Sequence, residues 1–297
     1  MRRRVPRRLV LRTSAKVNLS LEVIGKRRDG YHEIVTVLQA VDLSDRLVLE
    51  ESDSLTLRTN DPGLPTDERN LVIASTRLLR AAAGISRGVS ITLDKRIPLA
   101  AGLGGGSSNA AGTLWGLNRL WALRWPVTRL AELAVELGMD VPFFLRGGRA
   151  VATGRGEILK PLPATPGLSL VLVNPNFQLS TREVYARVPS DLAADGSRVA
   201  ALIQALATRS MTRVAANLYN SLEPIVAPAY PAIARINSAL LGAGALGAVM
   251  SGSGPTVVGV ARSFDHARQI RARLTTRAWS TWAVRSVSGP AIRVLHG

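Results

Sequence analysis

The stretch Lys95-Arg-Ile-Pro98-Leu-Ala-Ala-Gly102-Leu-Gly-Gly-Gly106-Ser107-Ser108-Asn109 carries the strongest structural signal in the chain. An apolar segment before it predicts a buried strand, and the segment after it has apolar residues at helical spacing. Glycine lets the backbone adopt positive φ and approach a ligand closely, and successive N–H groups at a helix N-terminus attract anions. The pattern predicts a phosphate-binding loop over residues 102–108. A flexible linker is the alternative, but linkers rarely join a buried strand directly to a helix.

Two familiar phosphate-binding patterns do not fit this loop. A Walker A loop requires Gly-Lys-Ser/Thr, which the stretch lacks. A dinucleotide-binding fingerprint requires its third glycine at the position of Ser107. The loop therefore indicates a phosphate site of another kind.

The pattern along the rest of the chain predicts an α+β protein with two domains. Of the 297 residues 46% are hydrophobic, enough for a sizeable core, and there are no cysteines, which excludes disulfides and thiolate metal sites. The proline-rich stretch at residues 160–167 is the best boundary, so the predicted domains are residues 1–160 and 161–297. We predict strands at residues 17–24, 33–41, 46–50, 55–58, 89–93, 168–173, 246–250 and 256–260, with a last strand near the end. We predict helices at residues 67–83, 107–120, 128–137, 181–188, 199–207, 231–241 and 264–274.

The formal charge of +17 could suggest a nucleic-acid or membrane partner, but net charge alone does not choose one. Arginine accounts for nearly all of the 38 basic residues, since the lysines are Lys16, Lys26, Lys95 and Lys160 alone. Aromatic residues, which usually accompany basic ones in nucleic-acid modules, make up 4%. No apolar core of a signal peptide follows the arginine-rich residues 1–8, because Arg12 and Lys16 interrupt residues 9–17. The uncharged residues 97–118 and 236–261 are broken by Gly, Ser and Pro. We expect a cytoplasmic protein without a membrane span, and residues 1–8 outside any active site.

The glycine loop resembles the phosphate loop of the GHMP kinases. Two more motifs of that family follow the same order along the chain, Ser14-Ala-Lys16-Val-Asn18-Leu and Met250-Ser-Gly-Ser-Gly254-Pro-Thr. The resemblance implies the two-domain GHMP kinase fold. Its N-terminal domain, like ribosomal protein S5 domain 2, binds ATP and carries the catalytic residues, and its ferredoxin-like C-terminal domain completes the substrate site.

Three further stretches are similar to one branch of this family. They are Arg28-Asp-Gly-Tyr31-His32-Glu, Gly138-Met-Asp140-Val-Pro-Phe-Phe and Asn217-Leu-Tyr-Asn-Ser-Leu-Glu223-Pro, and the likeness spans residues 11–287. It implies transfer of a phosphoryl group from ATP to the C2 hydroxyl of 4-diphosphocytidyl-2-C-methyl-D-erythritol, in the non-mevalonate isoprenoid pathway. Mg²⁺ is expected to arrive with ATP, because the sequence offers no metal-ligand cluster. Two alternatives stay open: a homoserine or mevalonate type of GHMP kinase, which lacks the Gly-Tyr-His element, and a basic nucleic-acid-binding protein.

Asp140 and Lys16 are the candidate catalytic residues. Taken alone, Asp140 reads as the cap of a short helix that begins at Val141-Pro142, and Lys16 as a solvated lysine on a strand. Strand alternation places Lys16 on the same face as Asn18, and a compact ammonium suits a site beside a carboxylate and a phosphoryl group. The resemblance implies that Asp140 accepts the proton of the substrate hydroxyl, that Lys16 pairs with Asp140, and that Asn18 holds the substrate.

The remaining site residues follow from the resemblance alone. It implies that Tyr31 and His32, just after a predicted hairpin turn, hold the cytosine, with Tyr185 closing from the other domain and Thr181 as a polar neighbour; otherwise they read as surface or packing residues. It implies that ATP is bound by Asn70, Lys95, Pro98, Leu99, Ala100, Ala101, Gly102, Leu103, Gly104, Gly105, Gly106, Ser107 and Ser108.

Overall fold

A computed structural model of the chain describes residues 7–163, 167–274 and 278–296. Helices and strands are mixed throughout these residues, as predicted for an α+β protein. The strands are β1 (Arg8–Lys26), β2 (His32–Ser52), β3 (Leu55–Thr59), β4 (Gly88–Asp94), β5 (Arg149–Thr153), β6 (Ile158–Pro161), β7 (Ser169–Asn174), β8 (Tyr219–Asn220), β9 (Gly247–Met250), β10 (Val257–Ala261), β11 (Ser280–Arg285) and β12 (Ile292–His296). The helices are α1 (Leu71–Ala83), α2 (Gly105–Leu120), α3 (Val127–Leu137), α4 (Val141–Arg146), α5 (Thr181–Ala186), α6 (Ser197–Ala207), α7 (Met211–Ala216), α8 (Glu223–Val226), α9 (Ala232–Gly242) and α10 (Phe264–Arg273).

The first sheet is built on a long hairpin. Strands β1 and β2 pair antiparallel over almost their whole length, around the predicted turn at Asp29-Gly30. Strands β4 and β3 extend the sheet beyond β2, and β12 lies on the other side of β1. Helix α2 packs across β1 and β2 with a fully buried face of small and apolar residues that includes Ala111, Leu114 and Leu117. This packing holds the start of α2, and so the glycine loop, at a fixed place on the sheet.

The second sheet lies in the C-terminal half, in the order β11-β7-β10-β9, with all of these pairs antiparallel. The first strand of this half, β7, lies in the interior of the sheet between β10 and the last strand, β11. This order is the one expected for a ferredoxin-like domain, in which helices connect the outer strands to the inner ones. The apolar side chains of β7 and β10 are fully buried, and those of Leu170 and Leu172 share a core with Val17 and Leu19 of β1, so the two halves are packed together.

Several observed elements differ from the predicted ones, above all β1, which begins at Arg8 and not at residue 17. The predicted helix at residues 67–83 begins at Leu71, because the Asn70 side chain accepts the N–H of Val72 and caps the helix. The predicted strands at residues 33–41 and 46–50 are one continuous strand, β2, with irregular register opposite Ser14 and Ala15. The short elements α7, α8, β5, β6 and β8 have no counterpart in the prediction, since they are too short to show periodicity.

Two strands that follow the predicted boundary join the first sheet. Strand β8 pairs with β1 at Ser20 and Leu21, and β12 pairs with β1 near its start. The division at residues 160 and 161 stays a prediction, and residues 164–166 of the proline-rich stretch lie outside the described residues. The same holds for residues 1–6 of the arginine-rich segment, whereas Arg8 is the first residue of β1. Among the described residues no helix is long and apolar enough to cross a membrane.

Candidate active site

The glycine loop runs from the end of β4 to the start of α2 and is held by backbone hydrogen bonds from both halves of the chain. The carbonyl groups of Ala100 and Ala101 accept hydrogen bonds from the N–H groups of Leu179 (3.3 Å) and Thr256 (3.4 Å), respectively. The carbonyl of Gly102 accepts from the hydroxyl of Ser251 (2.9 Å), and that of Leu103 accepts from the N–H of Lys16 (3.0 Å). The motif that begins at Met250 therefore supports the loop directly. The loop is fixed where the two sheets meet.

Two glycines of the loop have backbone conformations that other residues rarely adopt. Gly102 has φ +73° and Gly104 has φ +67°. A Cβ atom at Gly102 would lie 2.2 Å from the carbonyl oxygen of Ser251, and one at Gly104 would lie 2.8 Å from the ring of Phe144. The sequence needs glycine at both positions, because of the left-handed backbone and the close approach.

The N-terminus of α2 presents free backbone donors. The first bond of the helix runs from the N–H of Ser108 to the carbonyl of Gly104 (2.9 Å), so the N–H groups of Gly105, Gly106 and Ser107 precede it. Among the described residues no side chain caps this end at Gly104. Gly106 is exposed and Ser107 half-buried. These donors and the helix dipole make the end of the loop suitable for a phosphate group.

Lys16 and Asp140 lie together although 124 positions separate them in sequence. The Lys16 Nζ atom is 3.3 Å from Oδ2 of Asp140 and donates a hydrogen bond to Oδ1 of Asn18 (2.8 Å). The lysine side chain is 6% exposed and that of Asp140 35% exposed, so the carboxylate can be reached from solvent. The amide of Asn18 is fixed by a hydrogen bond to the hydroxyl of Thr36 (2.8 Å). The structure thus brings the three residues together.

Asp140 stands at the first turn of α4 but does not cap it. Its backbone is already helical (φ −83°, ψ −16°), and its side chain accepts no capping hydrogen bond from the described residues. The interpretation of Asp140 as a helix cap is therefore wrong for its side chain, and the carboxylate is free to face Lys16. Phe144, on the same helix, is fully buried and packs under Gly104. Helix α4 consequently links the position of Asp140 to that of the glycine loop.

The aromatic residues lie on both halves of the chain. The rings of His32 and Tyr185 are 5.4 Å apart with an angle of 34° between their planes. Tyr31 is half exposed (51%), and the guanidinium of Arg155 lies 5.1 Å from the centre of its ring. The Thr181 hydroxyl is hydrogen-bonded to the Ser253 hydroxyl (2.9 Å). His32 and Tyr185 therefore meet across the two halves, whereas Tyr31 contacts Arg155.

The local environment shifts the pKa values of two of these residues. Burial raises the pKa of Tyr185, and the negative charge of Asp140 adds to the effect. Asp140 is thus close enough for its charge to act on Tyr185. Burial, together with the positive charge of Lys26, lowers the pKa of His32, so the ring is neutral near pH 7.

Two residues that the resemblance assigns to ATP binding have other partners in the structure. The amide of Asn70 caps α1 with its oxygen and donates to the carbonyl of Pro65 (2.7 Å). The ammonium of Lys95 is buried and is bonded to Asp45 and to Asn109 (3.2 Å). The other residues assigned to ATP binding form the loop itself and the start of α2.

Sequence reasoning assigned no role to several polar residues that shape the site. The hydroxyl of Ser251 donates a hydrogen bond to the carbonyl of Gly102 and accepts one from the backbone N–H of Asn18 (3.1 Å). The hydroxyl of Ser253 is hydrogen-bonded to that of Thr181, and the hydroxyl of Thr36 accepts from the side-chain amide of Asn18. The glycine- and serine-rich motif at residues 250–256 was a signal for the two serines. Thr36 left no signal, because a threonine within a strand is ordinary.

Comparisons with known proteins agree with this geometry. Residues 70–148 match the family described as GHMP kinases N terminal domain, and residues 202–281 match GHMP kinases C terminal. The chain is 44% identical over 269 residues to the 4-diphosphocytidyl-2-C-methyl-D-erythritol kinase of Gloeobacter violaceus, covering 89% of each protein. It is 46% identical over 261 residues to the enzyme of that name from Pelotomaculum thermopropionicum, covering 87% of this chain and 91% of that protein.

Solved structures give the same result. A crystal structure of a 4-(cytidine 5'-diphospho)-2C-methyl-D-erythritol kinase superposes with a TM-score of 0.80 at 38% identity, covering 95% of this chain and 100% of that chain. A homoserine kinase from Cytophaga hutchinsonii superposes with a TM-score of 0.77 at 23% identity, over 97% of each chain, which is a likeness of fold alone. The chain belongs to the GHMP kinases, and within them to the family of the 4-diphosphocytidyl-2-C-methyl-D-erythritol kinases.

Proposed function

We propose that this protein transfers the γ-phosphoryl group of ATP to the C2 hydroxyl of 4-diphosphocytidyl-2-C-methyl-D-erythritol. One observation carries the proposal: the Lys16–Asp140 pair adjoins the glycine loop, and the charge of Asp140 reaches Tyr185. The Cβ of a residue at position 104 would touch the Lys16 side chain at 3.0 Å. The negative charge of Asp140 contributes to the raised pKa of Tyr185. A phosphate cradle, an acid–base pair and an aromatic pair are the three parts that this reaction needs.

Each part has a role in the transfer. The Asp140 carboxylate accepts the proton of the C2 hydroxyl as its oxygen forms a bond to the γ-phosphorus, and the bond to the β,γ-bridging oxygen breaks to release ADP. Lys16, held at 2.8 Å from Asn18, stabilises the negative charge near the transferring group. The N–H groups of the loop and of the α2 N-terminus hold the triphosphate. Phosphoryl transfer of this type depends on positioning and electrostatics, so we expect no covalent intermediate on the enzyme.

Magnesium fits this arrangement as a companion of ATP. Mg²⁺ usually retains water and binds through substrate phosphates with one or two protein oxygens. The hydroxyl of Ser107, a half-buried residue at the start of α2, and the carboxylate of the partly exposed Asp140 are oxygens of this kind. The ion would neutralise charge on the phosphates when bound.

We place the reaction in the cytoplasm, where ATP is available.

The aromatic residues favour the cytidyl substrate over the homoserine and mevalonate alternatives. A cytosine ring offers a flat face to Tyr185 and Tyr31 and an edge of donors and acceptors to the neutral His32. Homoserine and mevalonate have no ring that could use these side chains. The nucleic-acid alternative would leave the Lys16–Asp140 pair and the glycine loop without a role.

A substrate panel tests the proposal. ADP release is measured with the cytidyl diphosphate substrate, homoserine, mevalonate and sugars as acceptors, at fixed ATP and Mg²⁺. We expect turnover with the cytidyl substrate and little with the others. Preference for homoserine or mevalonate would overturn the proposed substrate but not the assignment as a kinase. No ADP release with any acceptor, together with salt-sensitive RNA binding, would support the nucleic-acid alternative.

A further inference from the structure

A second lysine–aspartate pair, Lys95 with Asp45, lies beneath the glycine loop. Both side chains are buried, with 4% of Lys95 and none of Asp45 exposed, whereas Asp140 in the first pair is 35% exposed. Burying two charges is unfavourable unless their geometry and remaining hydrogen bonds are nearly complete. Because apolar side chains could fill the same volume, the pair must do more than fill space. The groups that are hydrogen-bonded to it indicate its role.

Among the described residues, four donors converge on the Asp45 carboxylate. Its Oδ1 atom accepts the backbone N–H groups of Arg96 (2.7 Å) and Ile97 (2.9 Å). Its Oδ2 atom accepts from the ammonium of Lys95 and from the side-chain amide of Asn109 (2.9 Å). The two oxygens therefore have different partners: Oδ1 holds the segment that leads into the loop, and Oδ2 holds the helix that leads out of it.

These contacts tie both ends of the loop to one strand. Arg96 and Ile97 precede the glycines, Asn109 lies in the first turns of α2, and Asp45 belongs to β2 in the interior of the first sheet. A Cβ atom at Gly105, the first residue of α2, would lie 3.0 Å from the Lys95 ammonium. The spacing between the two ends of the loop is thereby fixed before any ligand binds. A cradle of backbone N–H groups depends on such preorganisation, because flexible donors lose entropy when they bind.

We propose that Asp45 is a positioning residue of the nucleotide site, which holds the two ends of the glycine loop at the spacing that phosphate binding requires. Lys95 then acts through the loop, by bridging Asp45 and Asn109, and not by direct contact with a phosphate. This inference rests on the proposed function, since it assumes that the loop binds ATP.

The variant Asp45→Asn separates this role from general stability. An asparagine can keep an oxygen toward Arg96 and Ile97, but it then turns an NH₂ group toward the donors of Lys95 and Asn109. The link to α2 is lost while the link to the start of the loop remains. The double variant Asp45→Asn, Lys95→Met also removes the unpaired buried charge, and it replaces the single variant if that one does not fold.

Glu22→Gln provides a matched control. Glu22 is also a buried carboxylate in the first sheet (2% exposed), and it accepts the backbone N–H of Val199 at the start of α6 (2.8 Å). This bond lies away from the glycine loop. Its loss should lower thermal stability, as the loss of Asp45 should, without disturbing the nucleotide site.

Nucleotide binding is measured by calorimetry with a non-hydrolysable ATP analogue and Mg²⁺, in the absence of acceptor, and the KM for the cytidyl substrate is measured separately. We expect the Asp45 variant to bind the analogue at least about tenfold more weakly, with an acceptor KM within about twofold of wild type. Glu22→Gln should bind the analogue as wild type does. A folded Asp45 variant that binds as tightly as Glu22→Gln would overturn the positioning role. A wild-type protein that does not bind the analogue would instead overturn the proposed function, and the positioning role with it.

Discussion

Replacing Asp140 with asparagine is expected to remove most of the turnover while leaving the fold almost as stable as before. The change removes the proton acceptor that lies 3.3 Å from the Lys16 ammonium and keeps the size of the side chain. General bases contribute about 10²–10⁴-fold to enzymatic rates, so kcat should fall by about that factor. Nucleotide affinity should change little, because the glycine loop is a separate element.

The structure limits the effect on stability. The Asp140 side chain is 35% exposed, so solvent screening keeps the contribution of the ion pair to about 0–1 kcal/mol. Lys16 retains its hydrogen bond to Asn18 in the variant. Since Asp140 caps no N–H group of α4 among the described residues, the helix loses no hydrogen bond of its own. The melting temperature should therefore fall by at most about 2–4 °C for a protein of this size.

Ser263→Ala provides the opposite control. The hydroxyl of Ser263 accepts the N–H of His266 (3.1 Å) and caps α10, far along the chain from the catalytic pair. Its loss should cost about 1 kcal/mol of stability and leave kcat unchanged. Both variants are assayed by ADP release at saturating ATP and cytidyl substrate and by thermal melting. An Asp140→Asn protein with kcat within a few-fold of wild type would refute the assignment, and so would loss of activity that only accompanies unfolding.

Three other predictions follow from the site. Tyr185→Ala should raise the KM for the cytidyl substrate by about tenfold, for a loss of about 1.4 kcal/mol of stacking, and leave the ATP KM unchanged; a parallel rise of both KM values would assign Tyr185 to the fold. Because burial and Lys26 lower the pKa of His32 below 6.5, the stability and acceptor affinity that the neutral ring supports should persist above that pH and be lost as pH falls through the lowered pKa. His32→Gln should flatten this acid limb in a pH series of acceptor KM, and an unchanged limb would assign it to another group. Gly102→Ala forces φ +73° on alanine and places its Cβ 2.2 Å from a backbone oxygen, so the nucleotide affinity measured by calorimetry should fall at least about tenfold. The control Gly289→Ala, with no atom within 4 Å of the added Cβ, should bind the nucleotide normally. Equal affinities of the two variants would refute the need for glycine at position 102.

Motifs and local patterns predicted the glycine loop and most of the regular elements. The loop is recognisable because positive φ, close backbone approach and a helix start all favour glycine. Helices such as α3 and α9 show apolar periodicity over eleven residues each. The pairing of Lys16 with Asp140 came from the resemblance, because no local pattern indicates which side chains meet across 124 positions.

Asp45 shows why the rest could not be predicted. It lies in β2 at a position where alternation puts Leu47 and Leu49 inward, and both of these are fully buried. An aspartate at an inward-facing position therefore indicates that buried hydrogen-bond donors surround its carboxylate. The identity of those donors depends on how α2 packs on the sheet, which is a tertiary arrangement. A single last strand was predicted near the end of the chain, whereas the described residues form two there, β11 and β12. Four of the five residues of β12 are exposed, so the sequence of this strand does not reveal its distant partner.

Because β12 pairs with β1, the strands of the first sheet are synthesised at widely separated times. Strand β1 cannot complete its hydrogen bonds on that side until residues 292–296 have left the ribosome, after the whole second sheet has been made. Until then, the stretch around Val10 and Leu11 is an open edge that can pair with another chain. Contacts between residues this far apart also slow folding, because a long loop must close first. A nascent chain stalled inside the second half would thus expose a strand that is protected in the finished protein.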